Sequence, residues 1–367
     1  MIVKAITLDF FRNYLHLEAA FHPRINVIFG DNAQGKTNLL EAVAYLSSAS
    51  SHRARYDREL IQFGVDHAFV KGEVASRGRD FTLEASLHRG ARRQLLSNGV
   101  RLKNAGELAG ILNTVLFCPE DLYLIRAGAE ARRKFLDQCI CQLRPRYAVA
   151  LAEYKRLREH KTRILRDRAE HPDLLDTLDD FSLRMAQCGA ILVHYRAHFI
   201  KKLRQAAPPI HADCSGGRER LELEYRTVST VTDPEAPPKT LLPQLLDHQE
   251  SHRRAEIESR SCLSGPHKDD LSVSIDGCPA GAYASQGQTR TAALALKLAA
   301  RDIFYQDTQE WPVLLLDDVL SELDSRRQEF VLNRITSGQV FITCCEEEKL
   351  VHLREGNAFY IHDGRLA

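Results

Sequence analysis

The chain has 367 residues, of which 44% are hydrophobic and 27% charged, an ordinary globular composition that excludes disorder as its main character. Its length suits two or three domains, or one large domain with an insertion. Lys and Arg total 50 and Asp and Glu 49, a formal net charge of +1, which argues against a histone-like or RNA-coating protein. Charge is nonetheless segregated. Between positions 126 and 168, thirteen Lys/Arg stand against five Asp/Glu. Such a segment is either a polyanion-binding patch or a solvated helical face, and both readings stay open. Nine cysteines without a Cys-x-x-Cys pair argue against a zinc site and for reduced thiols in a cytoplasmic protein. MIVKAITLDFF has no apolar signal core, and no 18-residue apolar run occurs, so neither a signal peptide nor a membrane span is expected.

In chain order, Ile2-Val3-Lys4-Ala5-Ile6-Thr7-Leu8 is β-rich, and Ile25-Asn26-Val27-Ile28-Phe29 is a short buried strand ending at Gly30. A helix is predicted next, with Leu39, Leu40, Ala42, Val43 and Leu46 on one side. Alternating segments across 60–103, with a turn at Asn98-Gly99, predict an antiparallel meander. Val115-Leu116-Phe117 is a further strand, closed by Pro119. From 128 to 206 the chain reads as helical. Leu178, Phe181, Met185, Cys188, Leu192, Tyr195 and Phe199 form one apolar stripe on a long helix starting near Pro172. Pro208-Pro209, Gly216-Gly217 and 233–238 read as loops, 221–225 as a strand and 239–260 as a helix. Val273 to Ile275 ends at an Asp276-Gly277 turn, a helix covers 287–306, and 313–316 and 340–343 are buried strands. The pattern is an α/β domain split around a helical insertion.

The strongest local signal is Gly30-Asp31-Asn32-Ala33-Gln34-Gly35-Lys36-Thr37, followed by Asn38, which fits G-x-x-x-x-G-K-[ST] between a strand and a helix. The glycines let the backbone curl so that its N–H groups face phosphates, and the helix presents its positive end to them. Lys36 is expected to reach the β- and γ-phosphates and Thr37 to ligate Mg²⁺. A second signal is Val313-Leu314-Leu315-Leu316-Asp317-Asp318, a buried strand with two carboxylates at its C-terminal end. Asp317 is expected to hold Mg²⁺ through water and Asp318 to polarise the attacking water. The third is Ser285-Gln286-Gly287-Gln288, which opens a long helix about 30 residues before Asp317. It reads either as a plain helix cap or as a second anion site, of the kind that acts across a dimer in ABC-type ATPases. Ser321-Glu322-Leu323-Asp324 would then be the D-loop.

Together with Phe11-Arg12-Asn13-Tyr14, Ser51-His52-Arg53, Pro119-Glu120-Asp121-Leu122 and Gly265-Pro266-His267-Lys268-Asp269-Asp270-Leu271, these segments run the length of the chain in one order. In this set the sequence resembles the RecF family, bacterial recombination-mediator ATPases related to the SMC proteins. The resemblance implies an α/β, ABC/SMC-type P-loop ATPase head (lobe I, residues 1–120 and 263–367) with an inserted helical lobe II (121–262) and no long coiled coil. It implies ATP and Mg²⁺ as cofactors and a homodimer that sandwiches two ATP. It also implies binding to double-stranded DNA and ssDNA–dsDNA junctions, with no membrane partner. Weak, DNA-stimulated hydrolysis then releases the DNA. With RecO and RecR, the family favours RecA loading at gapped DNA.

The wider ABC pattern is not fully kept. Asp318 stands where Glu is usual, which predicts slow hydrolysis. No switch His follows strand 340–343, leaving Thr343 as a substitute, and Glu120 or Asp121 stands near the usual Q-loop Gln. Arg53 reads as a phosphate clamp or a surface arginine, and Arg12 as a contact to nucleotide or DNA. Arg132, Arg133 and Lys134 read as DNA phosphate contacts or as a solvated face. His267 reads as ordering a turn. The rivals are another SMC/ABC-type switch and a P-loop small-molecule kinase, which would not need Ser285 to Gln288.

Overall fold

In the computed structural model, which describes residues 1–345 and 356–366, β1 (Ile2–Phe11) and β2 (Tyr14–Ala20) form a hairpin. A register shift between Val3 and Ala5 lets Val3, Ile6 and Leu8 all face the core. β3 (Ile25–Phe29) is the expected buried strand, and α1 (Lys36–Ser48) buries the expected Leu39, Leu40, Ala42, Val43 and Leu46. The meander is β4 (His67–Ser76), β5 (Arg79–His88), β6 (Gln94–Ser97) and β7 (Val100–Arg101), joined edge-on to the first hairpin in the order β2-β1-β4-β5-β6-β7. Asn98 and Gly99, at φ 50° and 74°, make the tight turn between β6 and β7. β8 (Thr114–Phe117) then ends at the 3₁₀ turn Pro119–Tyr123.

The insertion follows as α2 (Ala129–Leu143), α3 (Pro145–Asp167), α4 (Leu178–Ser215), β9 (Leu221–Arg226), α5 (Pro238–Ser259), β10 (Asp270–Ile275), β11 (Cys278–Pro279) and the short α6 (Ala280–Tyr283). Two expectations are corrected here. The long helix starts at Leu178, after a 3₁₀ segment Pro172–Thr177, and it runs through Pro208 and Pro209 rather than breaking there. Proline removes one N–H donor per residue. The apolar stripe, however, continues as buried Leu203, Ala207, Ile210 and Cys214, and burial overrides the local preference. Gly216, at φ 73°, ends the helix as expected.

α7 (Gln286–Thr308), β12 (Val313–Asp317), α8 (Ser325–Arg334), β13 (Val340–Cys344), β14 (Gly356–His362) and β15 (Arg365–Leu366) complete the described chain. Among the described residues the second sheet runs β15-β14-β3-β13-β12-β8, parallel from β14 to β8. Its register sets Ile28 beside Thr343 and Thr343 beside Asp317. The phosphate-type loop after β3 and the carboxylates ending β12 therefore emerge at one edge, the C-terminal edge of a parallel sheet.

Packing divides the chain into Met1–Tyr123 with Ala293–Ala367, and Leu124–Ala292. The second division falls within α7, whereas the expected boundary was 262/263. Of the expected range 263–367, residues 346–355 and 367 lie outside the described residues. No described helix is long and apolar enough to cross a membrane.

Candidate functional site

The loop 30–37 is shaped by two close approaches. Gly30 has φ 144°, and a Cβ there would lie 2.3 Å from the Ile361 carbonyl oxygen. Gly35 has φ 121°, and its Cβ would lie 2.8 Å from Asn13 Nδ2. No side chain fits either position. The turn between β1 and β2 braces the loop. Asn13 Nδ2 donates to the Gln34 carbonyl at 2.8 Å, and Tyr14 Oη donates to the Gly35 carbonyl at 2.9 Å. The β14–β15 turn adds the Asp363 N–H on Gln34 Oε1 at 2.6 Å and the Gly364 N–H on the Gln34 carbonyl. Asn13 and Tyr14 belong to a segment noted in the sequence, but their bracing role depends on partners about 20 residues away and carried no sequence signal.

Lys36 is only 7% exposed, and its Nζ donates to the carbonyls of Gly30 at 2.6 Å and Asp31 at 2.8 Å. Thr37 Oγ1 donates to Asp317 Oδ1 at 2.9 Å, across 280 residues of sequence. Thr343 Oγ1 donates to the same oxygen at 2.9 Å and accepts the Asp318 N–H at 2.7 Å. Thr343 thus links the two carboxylate positions. Burial raises the Asp317 carboxyl above its ordinary value, opposed by the Thr343 and Thr37 hydrogen bonds and by the charge of Arg53. Asp318 sits at φ 51°, the left-handed region, and Ser321 Oγ donates to its carbonyl at 2.6 Å. Asn32, exposed in the loop, accepts from Cys345 Sγ at 3.2 Å. Ala33, at φ 66°, takes a left-handed turn in the same loop.

Glu41, fully buried on α1, organises a second cluster. Arg12 Nε and Nη2 each donate to one of its oxygens at 2.9 Å, and Ser51 Oγ donates to it as well. Burial pushes the Glu41 carboxyl up, but the Arg12 and Ser51 hydrogen bonds outweigh it and hold the group below its ordinary value. Arg12 is thereby fixed to the fold. Arg53 is more open: its side chain is 43% exposed, and Nη1 donates to Asn38 Oδ1 at 2.9 Å, at the first turn of α1. His52 is half-buried beside them, and desolvation lowers its pKa to about 4. Beyond β8, Asp121 accepts the Cys118 N–H at 3.0 Å and pairs with Lys297 at 2.8 Å, whereas Glu120 is exposed.

In the second unit, Ser285 Oγ accepts the Gln288 N–H at 3.2 Å, while Gln288 Oε1 accepts the Ser285 N–H at 2.8 Å. This reciprocal pair is a capping box. Ser285 and Gln286 are exposed and Gly287 half-buried, so the cap leaves the helix start open. In the segment 321–324, Asp324 caps α8 by accepting the Arg327 N–H.

The basic candidates at 132–134 have different fates. Arg132 grips Asp270 with two bonds at 2.8 and 2.9 Å, and Arg133 donates to the Asp269 carbonyl at 2.6 Å. Burial lowers the Arg133 pKa from its ordinary value. Both tie α2 to the Gly265–Asp270 segment, and Lys134 alone of the three is exposed. His267 in that segment is also accounted for. Its Nδ1 lies 2.7 Å from Tyr154 Oη and its Nε2 lies 3.0 Å from the Cys262 carbonyl. A neutral ring that accepts from the tyrosine and donates to the carbonyl satisfies both contacts and orders the turn.

The family model for the RecF/RecN/SMC N terminal domain matches residues 2–363. A curated relative from Agathobacter rectalis, DNA replication and repair protein RecF, is 39% identical over 355 residues, covering 96% of this chain and 95% of its own. The protein of the same name from Listeria innocua is 39% identical over 373 residues, covering 100% and 99%. Among solved structures, the recombination mediator protein RecF-ATPrS in the RecFOR pathway superimposes with a TM-score of 0.90 at 33% identity, over 99% of this chain and 97% of that one. The Smc head domain of Pyrococcus furiosus, at TM-score 0.56 and 16% identity over 100% and 95%, shares the fold.

Proposed function

The chain belongs to the RecF family of DNA replication and repair proteins, with an ABC/SMC-type ATPase head, and on that premise we propose that it is an ATP-operated clamp on duplex DNA. Residues 1–120 and 263–367 serve as the ATPase lobe and 121–262 as the helical lobe. The observation that carries the reading is the 2.9 Å bond from Thr37 to Asp317, which joins the phosphate-type loop to the carboxylates.

The donor set fits a magnesium nucleotide: a loop with no room for a Cβ, a lysine ammonium held on loop carbonyls, and a hydroxyl against a buried carboxylate. A bound Mg²⁺, held by Thr37 and through water by Asp317, would neutralise charge on the β- and γ-phosphates. Lys36 exchanges the Gly30 and Asp31 carbonyls for those phosphates. The backbone N–H groups of 31–38 cradle them, and Arg53 adds positive charge from the side. Asp318 orients the attacking water, and its short side chain makes hydrolysis slow. Ser285 to Gln288 offers an open helix start to the nucleotide of a second copy, so that ATP joins the two heads. The joined pair holds duplex DNA at ssDNA–dsDNA junctions, works with RecO and RecR in RecA loading in the cytoplasm, and lets go on hydrolysis.

Sedimentation with Mg²⁺-ATP and a duplex tests this. The wild-type chain is expected to form an ATP-dependent dimer that retains DNA. Lys36→Met should lose ATP binding, the dimer and DNA retention together, because its charged contact to the phosphates is gone. A Lys36→Met variant with unchanged ATP affinity would refute the assignment of the loop.

A further inference from the structure

The start of α7 is held from outside its own helix as well as by its capping box. Ala284 is the extended residue, at φ −70° and ψ 143°, that joins α6 to Ser285. Its N–H closes α6 on the Ala280 carbonyl. Its own carbonyl accepts from Arg126 Nη2 at 2.7 Å, across 158 residues of sequence. On the other side of the same peptide bond, the Ser285 N–H donates to Gln288 Oε1 at 2.8 Å. A peptide unit is planar, so holding its oxygen and its N–H fixes the plane, and with it the direction in which Ser285 enters the helix. Gln288 holds one end of that plane from within the helix. Arg126 holds the other from a distant segment.

Arg126 starts from a fixed point. The carbonyl of Ile125, just before it, accepts Arg132 Nη1 at 2.9 Å, and Arg132 is itself clamped on Asp270. Gly281 packs close to that carbonyl, since a Cβ there would lie 3.2 Å from the Ile125 oxygen. Residues 125 and 126 therefore run beside 281–284, all within the second unit. Arg126 is exposed, and among the described residues no carboxylate pairs with it, so no acidic side chain competes with the Ala284 carbonyl for its guanidinium.

We infer that Arg126 is a positioning residue for the segment Ser285 to Gln288. By holding the Ala284 carbonyl it aims the start of α7 at the nucleotide of a second copy of this chain. The inference rests on the proposed reading of that segment as acting across a dimer, and it adds a residue that the motif itself does not contain. Arg126 belongs to neither the loop 30–37 nor the Asp317–Asp318 pair. Its effect therefore falls on the joining of two heads and not on the capture of ATP by one.

Two constants measured on the full chain without DNA test this: ATP affinity at low protein concentration, and ATP-dependent dimerisation by sedimentation. Arg126→Met keeps much of the stem and removes the donors. It should leave ATP affinity within about twofold and weaken the dimer about three- to tenfold, the worth of one partly solvated charge-assisted hydrogen bond. Arg126→Lys can still donate to the Ala284 carbonyl and should recover most of the loss; a lysine variant no better than the methionine one would count against the inference. Ser285→Arg runs beside them. If it dimerises normally, the reading of 285–288 falls and takes the inference with it. If it blocks the dimer while Arg126→Met dimerises like the wild type, the inference alone falls. Equal loss of ATP affinity and dimerisation in Arg126→Met would make Arg126 a general structural residue. Loss of DNA retention with normal dimerisation would make it a DNA contact. Either result overturns the positioning role.

Discussion

Arg132 and Arg133 illustrate what a sequence hides at the scale of one residue. Their charge was legible, and so was the helix that carries them. Their partners were not, because Asp270 and Asp269 lie 138 and 136 positions away. The structure ties both arginines to the fold, and Lys134 is the more exposed of the three. Arg132→Glu should therefore cost about 1.5–3 kcal/mol in urea unfolding, the worth of charge-assisted hydrogen bonds. Lys134→Glu should stay within about 0.5 kcal/mol. If Arg132→Glu kept full stability while losing DNA, the arginine would be a DNA contact after all. His267 makes a second prediction. Its folded pKa is lowered to about 4, chiefly by burial. Above pH 6.5 the ring is neutral folded or unfolded and contributes no pH dependence. Below it the unfolded chain takes up a proton that the folded chain refuses, so stability falls as pH drops from about 6.5 to 4, by about 2 kcal/mol from this residue at pH 5. NMR titration should show the His267 ring still neutral at pH 5, and a midpoint near 6.5 would contradict its packing.

At the scale of elements, strands and helices with a strong period were legible, among them β3, α1, α5, α7 and β12. Segments with a fixed local order, the loop 30–37 after β3 and the pair Asp317–Asp318 at the end of β12, were legible in their placement too. What failed were cases where distant packing decides. α4 passes through Pro208 and Pro209 because its buried face continues, a fact that lies in its neighbours rather than in its own residues. The β14–β15 hairpin, which braces Gln34, had no motif to announce it. For α7, the two readings of Ser285 prove compatible, since the hydroxyl caps the helix and the helix start remains open. Substitutions can separate them. Ser285→Ala removes the cap and should cost about 1 kcal/mol of stability. Ser285→Arg should also leave ATP binding by the single chain intact, but it should block dimer formation, because a bulky cation fills the partner's phosphate site. Sedimentation with ATP reads the difference, and a dimer of normal stability in Ser285→Arg would leave Ser285 as a cap alone.

For the whole molecule, the proposed cycle makes hydrolysis the release step, so the water-orienting carboxylate and the DNA contacts should fail in opposite ways. Asp318→Asn keeps the loop, Thr37 and Asp317, and should prolong the ATP-bound dimer and its hold on DNA; loss of ATP binding instead would make Asp318 structural. DNA contacts act on salt dependence. Each phosphate neutralised on B-DNA contributes about 0.9 to the slope of log affinity against log salt. With Arg132 and Arg133 tied to the fold, the basic segment still offers Lys134 on α2 and Arg163 and Arg166 on α3, all exposed. Reversing these three to Glu should weaken duplex retention for every sequence alike and lower the slope by about 1 per lost contact. It should leave ATP-driven dimerisation unchanged, since none of the three belongs to the loop, the carboxylates or the start of α7. Fluorescence anisotropy across a salt series, beside sedimentation of the same variant, measures both. A slope equal to that of the wild type would move the DNA path off the helical unit and onto the exposed arginines of the first.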